Sequence, residues 1–316
     1  MSIQCVNGKR VLVKCYPYDL ANINEILKQV DAIGYRAFDG TDLLTEINIP
    51  ENVKEIGDRA FANCINLKKV TLPSTLSEIG MGAFSCCKNL EEINLDNVKE
   101  IHSGAFGYCK KLEHVTLAED CSVAAEMFEG AGLKSITIPN CDLINAMAFL
   151  DCDDLEQVTI KLGKEISDNC FRRCGNLSKV SLPNTLESIG ANAFYLCKNL
   201  TDIDIPENVN MIKKGAFANT GLTEVLLNPR TEVLDQVFDK EVRISYRKMS
   251  DLYLLNEINE IVKSNDKISN HFKEEVDRLI VHMIARAKEE ENKSEAIEKN
   301  INSDNTTFTY IIIDRL

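Results

Sequence analysis

The sequence predicts an α/β solenoid, a right-handed superhelix with parallel strands on its concave face and helices at its C-terminal end. A phenylalanine returns every 21 to 23 residues along most of the 316-residue chain. Each interval carries one short apolar segment with strand spacing, and a period in the twenties with one strand per unit is typical of a repeat solenoid. After residue 239 the spacing becomes helical. The recurring residues are Phe38, Phe61, Phe84, Phe106, Phe128, Phe149, Phe171, Phe194, Phe217 and Phe238.

Residues 1–31 are predicted to cap the N-terminal end of the array. Two strand-like segments flank Asn7 and Gly8, a pair that favours a tight hairpin turn. The stretch 22–30 has apolar residues at helical spacing. A solenoid must cover its apolar end coils, so a hairpin and a short helix here are explained by capping alone.

Residues 32–238 are predicted to form about nine to ten repeat units. Each unit contains one stretch with apolar residues at the spacing of Leu177, Val180 and Leu182. This stretch is expected to form a short parallel strand whose alternate side chains point inward. The Ala-Phe pair fills the core from the opposite wall. A proline cannot donate to the next rung, so it ends the strand. These prolines are Pro50, Pro73, Pro139, Pro183 and Pro206.

The cysteines follow the repeat. Six of the twelve stand three residues after the recurring phenylalanine, where a thiol acts as a small apolar filler. Equivalent residues of adjacent coils lie roughly 4.7–4.9 Å apart with parallel side chains, which is poor disulfide geometry. Reduced, buried thiols are expected, and these fit a reducing compartment. The six are Cys64, Cys87, Cys109, Cys152, Cys174 and Cys197.

Residues 239–316 are predicted to form a helical cap or extension. A final strand is expected at 241–247, followed by helices near 249–263 and 267–297. The tail 308–313 is apolar and β-prone. Self-association through the long helix or the tail is one expectation, and pairing of the tail within the chain is the other.

Composition excludes several classes of function. The net charge of −13 disfavours nucleic acid and anionic lipid, which both need a cationic face. The sequence shows no apolar run long enough to span a membrane and no signal-peptide core at its start. A cytoplasmic location is therefore expected, with a surface or secreted location as the alternative.

Residues 56–73 carry the motif Ile-Gly-x-x-Ala-Phe-x-x-Cys-x-Asn-Leu-x-x-Val-x-Leu-Pro. Units of this form resemble the BspA-like leucine-rich repeats of the Treponema pallidum class, found in many bacterial proteins, over roughly residues 33–238. The resemblance implies a curved solenoid and a non-enzymatic role in binding proteins or surfaces. The motif consists of packing residues, so it assigns no functional residue.

A candidate binding site follows from the strand pattern, because the residues that flank each inward-facing Ile or Val point outward. The expectation is a concave binding face that meets its ligand through polar contacts. The alternative is a solvated sheet, since one column is mostly threonine and asparagine, which suit strands or polar surfaces without binding anything. The candidate residues are Glu46, Lys69, Glu92, His114, Gln157, Lys179, Asp202, Asp204 and Glu224.

The four histidines are too scattered to predict a metal site, and no cofactor motif is present. An enzyme is not expected. The first functional hypothesis is a cytoplasmic scaffold that binds another protein. The second is a cell-surface adhesin whose export signal is missing from this sequence.

Overall fold

The computed structural model describes residues 2–140 and 142–247, and these form a solenoid of stacked coils joined by parallel strands. The C-terminal helices and the apolar tail predicted after residue 248 lie outside the described residues, as does Cys141. Self-association through that region stays a prediction. The boundaries predicted at residues 31 and 238 stay predictions too.

The N-terminal segment begins with the predicted hairpin. Strand β1 (Ser2–Val6) pairs antiparallel with β2 (Lys9–Lys14) around a turn in which Asn7 and Gly8 have positive φ. A 3₁₀ helix (Pro17–Asn22) and helix α1 (Ile23–Leu27) follow, so the helix is shorter than the predicted 22–30. Within the described ranges no helix has the length and apolar character that a membrane crossing requires.

The coils contribute the remaining strands, which are numbered in chain order. They are β3 (Ala32–Ile33), β4 (Glu46–Asn48), β5 (Glu55–Ile56), β6 (Lys69–Thr71), β7 (Glu78–Ile79), β8 (Glu92–Ile93), β9 (Glu100–Ile101), β10 (Ser135–Asn140), β11 (Leu143–Ile144), β12 (Gln157–Leu162), β13 (Glu165–Ile166), β14 (Lys179–Ser181), β15 (Ser188–Ile189), β16 (Met211–Ile212), β17 (Glu224–Leu227), β18 (Glu232–Val233) and β19 (Arg243–Tyr246).

The first ladder consists of the predicted strands, in three blocks: β4-β6-β8, β10-β12-β14 and β17-β19. All its pairs are parallel and in register, so each inward residue such as Ile47 stacks on its equivalent, Val70, in the next coil. The expected segments at 112–117 and 200–205 carry no assigned strand. The predicted final strand at 241–247 is confirmed, since β19 pairs with β17.

One predicted strand end is wrong. Pro139 was expected to close its strand, but β10 continues to Asn140, whose backbone is in register with Leu162 of β12. The reason is that β10 is the edge strand of its sheet. An edge strand tolerates proline because the missing N–H is not needed for the ladder.

A second ladder was not predicted. Two-residue strands, each ending in an isoleucine or valine such as Ile56, pair in the orders β3-β5-β7-β9 and β11-β13-β15-β16-β18, and β2 of the hairpin pairs with β3 at the start of the first series. In most of these strands an outward residue is followed by a buried one, as in Glu55 and Ile56. The outward positions of this ladder hold several glutamates but also apolar residues such as Leu143 and Met211.

The recurring phenylalanines form one continuous stack through the core. From Phe38 to Phe217 every ring is fully buried, and successive ring centroids lie 4.7 to 5.6 Å apart up to Phe238. The planes are tilted by at most 16°. Such spacing and tilt are those of offset-stacked aromatic rings, which attract one another beyond the burial of their surface. The predicted core wall is confirmed.

The segment that carries the Ala-Phe pair is a turn in every described coil, so the solenoid is parallel β and the predicted α/β class is not confirmed. The residue two positions before each phenylalanine has φ between +54° and +70°, as in Arg59, Met147 and Asn192. Left-handed residues interrupt a right-handed helix. The backbone instead bonds from coil to coil: Phe38 N–H donates to the Ala60 carbonyl at 2.7 Å.

The six repeat cysteines are fully buried and free, as predicted. Each thiol also donates a hydrogen bond to the carbonyl oxygen of the phenylalanine in the preceding coil, with Sγ–O distances of 3.0 to 3.2 Å. The thiol is thus a donor as well as a filler. Burial raises the pKa of Cys152 and of Cys197 to about 12, so both stay protonated near neutral pH.

Both ladders break at the same coil. The first ladder has only an isolated bridge, Leu95 to Leu117, between β8 and β10, and the second stops between β9 and β11. At this coil the sequence has Met127 and Phe128 where most repeat units have the Ala-Phe pair. The phenylalanine stack continues across it, since Phe128 lies 5.6 Å from both of its neighbours. The backbone hydrogen bonds of the turn segments continue too, from Phe106 N–H to the Met127 carbonyl at 2.9 Å and from Phe128 N–H to the Ala148 carbonyl at 2.8 Å. Aromatic packing and turn hydrogen bonds therefore hold the coils together where the strands are interrupted.

We expect Gly82→Ala to lower the free energy of unfolding by about 1 kcal/mol, because Gly82 has φ +60° and a left-handed alanine is strained. The added methyl group meets nothing closer than 3.7 Å, so strain alone is tested. The control is Gly175→Ala, which has no atom within 4 Å of the new Cβ and no positive φ. Urea unfolding of both variants measures the difference, and equal losses would contradict the left-handed turn.

Candidate interaction surface

The nine candidate residues all lie on the outward side of the first-ladder segments, and we call this surface the first-ladder face. Each of them is exposed. Six belong to strands, whereas His114, Asp202 and Asp204 lie in the segments that carry no strand. The in-register pairing turns residues that are about 22 apart in sequence into neighbours, and this brings the candidates into rows along the solenoid.

Charges of opposite sign alternate in the first block. Glu46, Lys69 and Glu92 are register partners in β4, β6 and β8. Lys69 Nζ lies 2.6 Å from Glu92 Oε2, and the hydrogen bond with Glu92 raises the pKa of Lys69. Opposite charges directly across a strand pair attract each other. The structure therefore brings these three candidates together, and two of them are already paired.

Ion pairs also join neighbouring coils in the residues beside this row. Lys134 Nζ lies 2.6 Å from Glu113 Oε2, and this hydrogen bond lowers the pKa of Glu113. Lys111 Nζ lies 3.5 Å from Glu91 Oε1. His114 is next to Glu113 and exposed, at the coil where the ladder is interrupted. The break separates it from the regular rows on either side.

The middle of the face holds the candidates with the fewest internal contacts. Gln157 and Lys179 are register partners in β12 and β14. Asp202 follows in the next coil, at the equivalent position. In the part of the chain that the structure describes, neither Lys179 nor Asp202 forms an ion pair. Among those residues their charges have no counter-ion.

At the last described coils the face gains two arginines that the sequence interpretation missed. Arg243 of β19 is in register with Glu224 of β17 and forms an ion pair with it. Arg247 Nη2 lies 2.6 Å from Asp204 Oδ1. The signal was available, because 241–247 was expected to be a strand and an alignment with 222–227 would have placed Arg243 beside Glu224.

One residue of the outward column that is mostly threonine and asparagine takes part in the hydrogen bonding between coils. The side chain of Asn94 accepts a hydrogen bond from Leu72 N–H at 2.8 Å and donates one to the Leu72 carbonyl at 3.1 Å. Leu72 is buried. Leu72 follows the last residue of β6, and β8 ends before it could pair with Leu72 through its backbone. The Asn94 side chain takes the place of that backbone pairing. Its role is structural.

The first-ladder face is an open polar surface. It has carboxylates, ammonium groups, amides and hydroxyl groups in rows, with no aromatic side chain among the candidates. Exposed charges of this kind interact more weakly as the ionic strength rises.

A chain of in-register coils with an apolar stack inside and a polar strand row outside is a leucine-rich-repeat solenoid. The family model described as BspA type leucine rich repeat region, with six copies, matches residues 31–156 and 121–245. These matches together span more than half of the chain. The protein belongs to the BspA-type leucine-rich repeat family, which confirms the resemblance predicted from the sequence.

Several solved structures are similar. A leucine-rich cell surface protein from Faecalibacterium prausnitzii is 22% identical, with 72% of this chain and 85% of that chain covered and a TM-score of 0.36. A leucine-rich repeat protein from Bacteroides ovatus is 25% identical, covering 70% and 88%, with a TM-score of 0.35. The leucine-rich repeat protein of T. pallidum is 27% identical, covering 55% and 73%, with a TM-score of 0.41. No curated protein matches this chain.

We expect Asn94→Ala to lower the free energy of unfolding by about 1–3 kcal/mol, because the buried N–H of Leu72 loses its acceptor. The matched control is Thr116→Ala, at the same column position in the next coil, where the exposed side chain should change stability by less than about 0.5 kcal/mol. Chemical denaturation measures both. A loss no larger than that of the control would show that Asn94 is a surface residue like its neighbours.

Proposed function

We propose that this protein is a non-enzymatic scaffold that binds another protein through the first-ladder face. The observation that carries the proposal is the register of the first ladder, which converts isolated charges into extended rows. Membership of the BspA-type repeat family supports a protein partner. The core is filled by packing side chains, so the coils offer their outward residues for recognition.

The charge pattern favours a protein partner over nucleic acid. The chain has a net charge of −13, and the face mixes both signs. Phosphate backbones need an array of cations. A partner with its own mixed charges, arranged to oppose Lys179 and Asp202, would be complementary to the least committed part of the face.

The test is affinity capture with the full-length chain, followed by mass spectrometry. The double variant Lys179→Glu, Asp202→Lys reverses two unpaired charges of the face and leaves the net charge unchanged. We expect the captured partner to be lost or reduced at least about tenfold, because reversed contacts repel. Removing single rim charges would have smaller effects.

The control is the double variant Lys198→Glu, Glu207→Lys, which makes the same exchange at exposed residues of the same coil outside the first-ladder segment. It should retain the partner. Equal binding by both double variants would contradict a role for the first-ladder face, whichever proteins are captured.

We further propose a reducing, cytoplasmic environment. The support is the column of buried free thiols, whose hydrogen bonds to the phenylalanine carbonyls require the reduced form. The competing function is an adhesin at the cell surface, which the family resemblance suggests. Fractionation of the source cells, with alkylation before lysis, separates the two. We expect the chain in the cytosolic fraction with reduced thiols, and recovery on the outer surface would favour the adhesin.

A further inference from the structure

The second ladder places three carboxylates in one column. Glu55, Glu78 and Glu100 are register partners in β5, β7 and β9. Adjacent strands are roughly 4.7–4.9 Å apart, and like charges directly opposite each other destabilise a sheet. The first block of the first ladder avoids this cost by alternating its charges. The second ladder does not, so its carboxylates need cations from elsewhere.

One of the three carboxylates has such a partner, and a second has a hydrogen-bond partner. Lys9 of the N-terminal hairpin forms an ion pair with Glu55. His102 Nε2 lies 2.8 Å from Glu78 Oε1. Glu100 forms no ion pair with any residue that the structure describes. The column thus ends in a carboxylate without a counter-charge, next to an imidazole.

The backbone sets the position of the imidazole. His102 comes two residues after Glu100, so both side chains leave the coil on the same face. The residue of the preceding coil at the position of His102 is Gly80, which has no side chain in the way. The ring can therefore reach back to Glu78. One ligand atom each from Glu78, Glu100 and His102 lie within 4.8 Å of one another.

We propose that Glu78, Glu100 and His102 form a Zn²⁺ site that links two adjacent coils of the second ladder. Two carboxylate oxygens and one imidazole nitrogen are a ligand set that Zn²⁺ accepts, with water at the fourth position. Small rotations of these half-exposed side chains bring the atoms to metal distances of about 2.0–2.2 Å. The ion supplies the counter-charge that Glu100 lacks.

The sequence interpretation predicted no metal site because the four histidines are scattered. It compared histidines only with one another. His102 lies 24 residues after Glu78 in the sequence. The two side chains are in contact only because the register places one coil directly on the next.

The test is a titration of the full-length, reduced chain with Zn²⁺ by isothermal calorimetry, with a phosphine as reductant. We expect one equivalent that weakens at least about tenfold in His102→Gln and in Glu100→Gln, since loss of a ligand costs at least as much as loss of an outer-shell partner. The controls are His114→Gln, on the first-ladder face, and Glu55→Gln, in the same carboxylate column but paired with Lys9. Both should bind as the parent does.

X-ray absorption at the zinc edge identifies the ligands, because the exposed thiol of Cys5 is a competing donor. The part of the zinc signal that is present in the parent and absent in His102→Gln should show nitrogen and oxygen ligands at about 2.0–2.2 Å. It should show no sulfur ligand at about 2.3 Å. A far-UV circular dichroism spectrum equal to that of the parent shows that each variant is folded. Zn²⁺ binding that is unchanged in His102→Gln, sulfur in the lost spectrum, or no binding by the parent would each overturn the site.

Discussion

The register between coils is the constraint on which the rest of this structure depends. One turn of the chain advances by one strand spacing, so every side chain lies on its equivalent in the next coil. The phenylalanine stack shows how firmly this is held, because it remains regular at the coil where both ladders break. The hydrogen bonds between the turn segments continue at that coil as well, so the register does not depend on the strands alone.

Register rewards some residue types and penalises others. Stacked aromatic rings attract each other, and a cysteine can bond to the carbonyl one coil back. Stacked carboxylates repel. The first ladder meets this problem with alternating signs, as in Glu46, Lys69 and Glu92. The second ladder meets it with a lysine from the hairpin and a histidine beside Glu78.

The sequence was sufficient to predict what faces inward. The spacing of the phenylalanines identified the core wall, and the buried state of cysteines such as Cys174 followed from their place in the repeat. The path of the segment that carries the Ala-Phe pair could not be predicted, because residue type is a weak guide to left-handed backbone. Met147 and Arg59 adopt a positive φ at the same repeat position as Asn169 does in its coil. The pair formed by Arg243 and Glu224 could have been predicted, because the expected strand at 241–247 aligns with the preceding strand segment.

The same register separates the outward residues by how much of each is left for recognition. Lys69 and Glu92 hold each other, Arg247 holds Asp204, and Asn94 serves the backbone of Leu72. A partner that approached these groups would first have to break internal contacts. Lys179 and Asp202 carry no such contacts within the described coils, so their charges are available at no internal cost. The register that pairs most of the outward charges thus leaves these two without a counter-ion among the described residues, and they are the charges that the proposed partner would meet first.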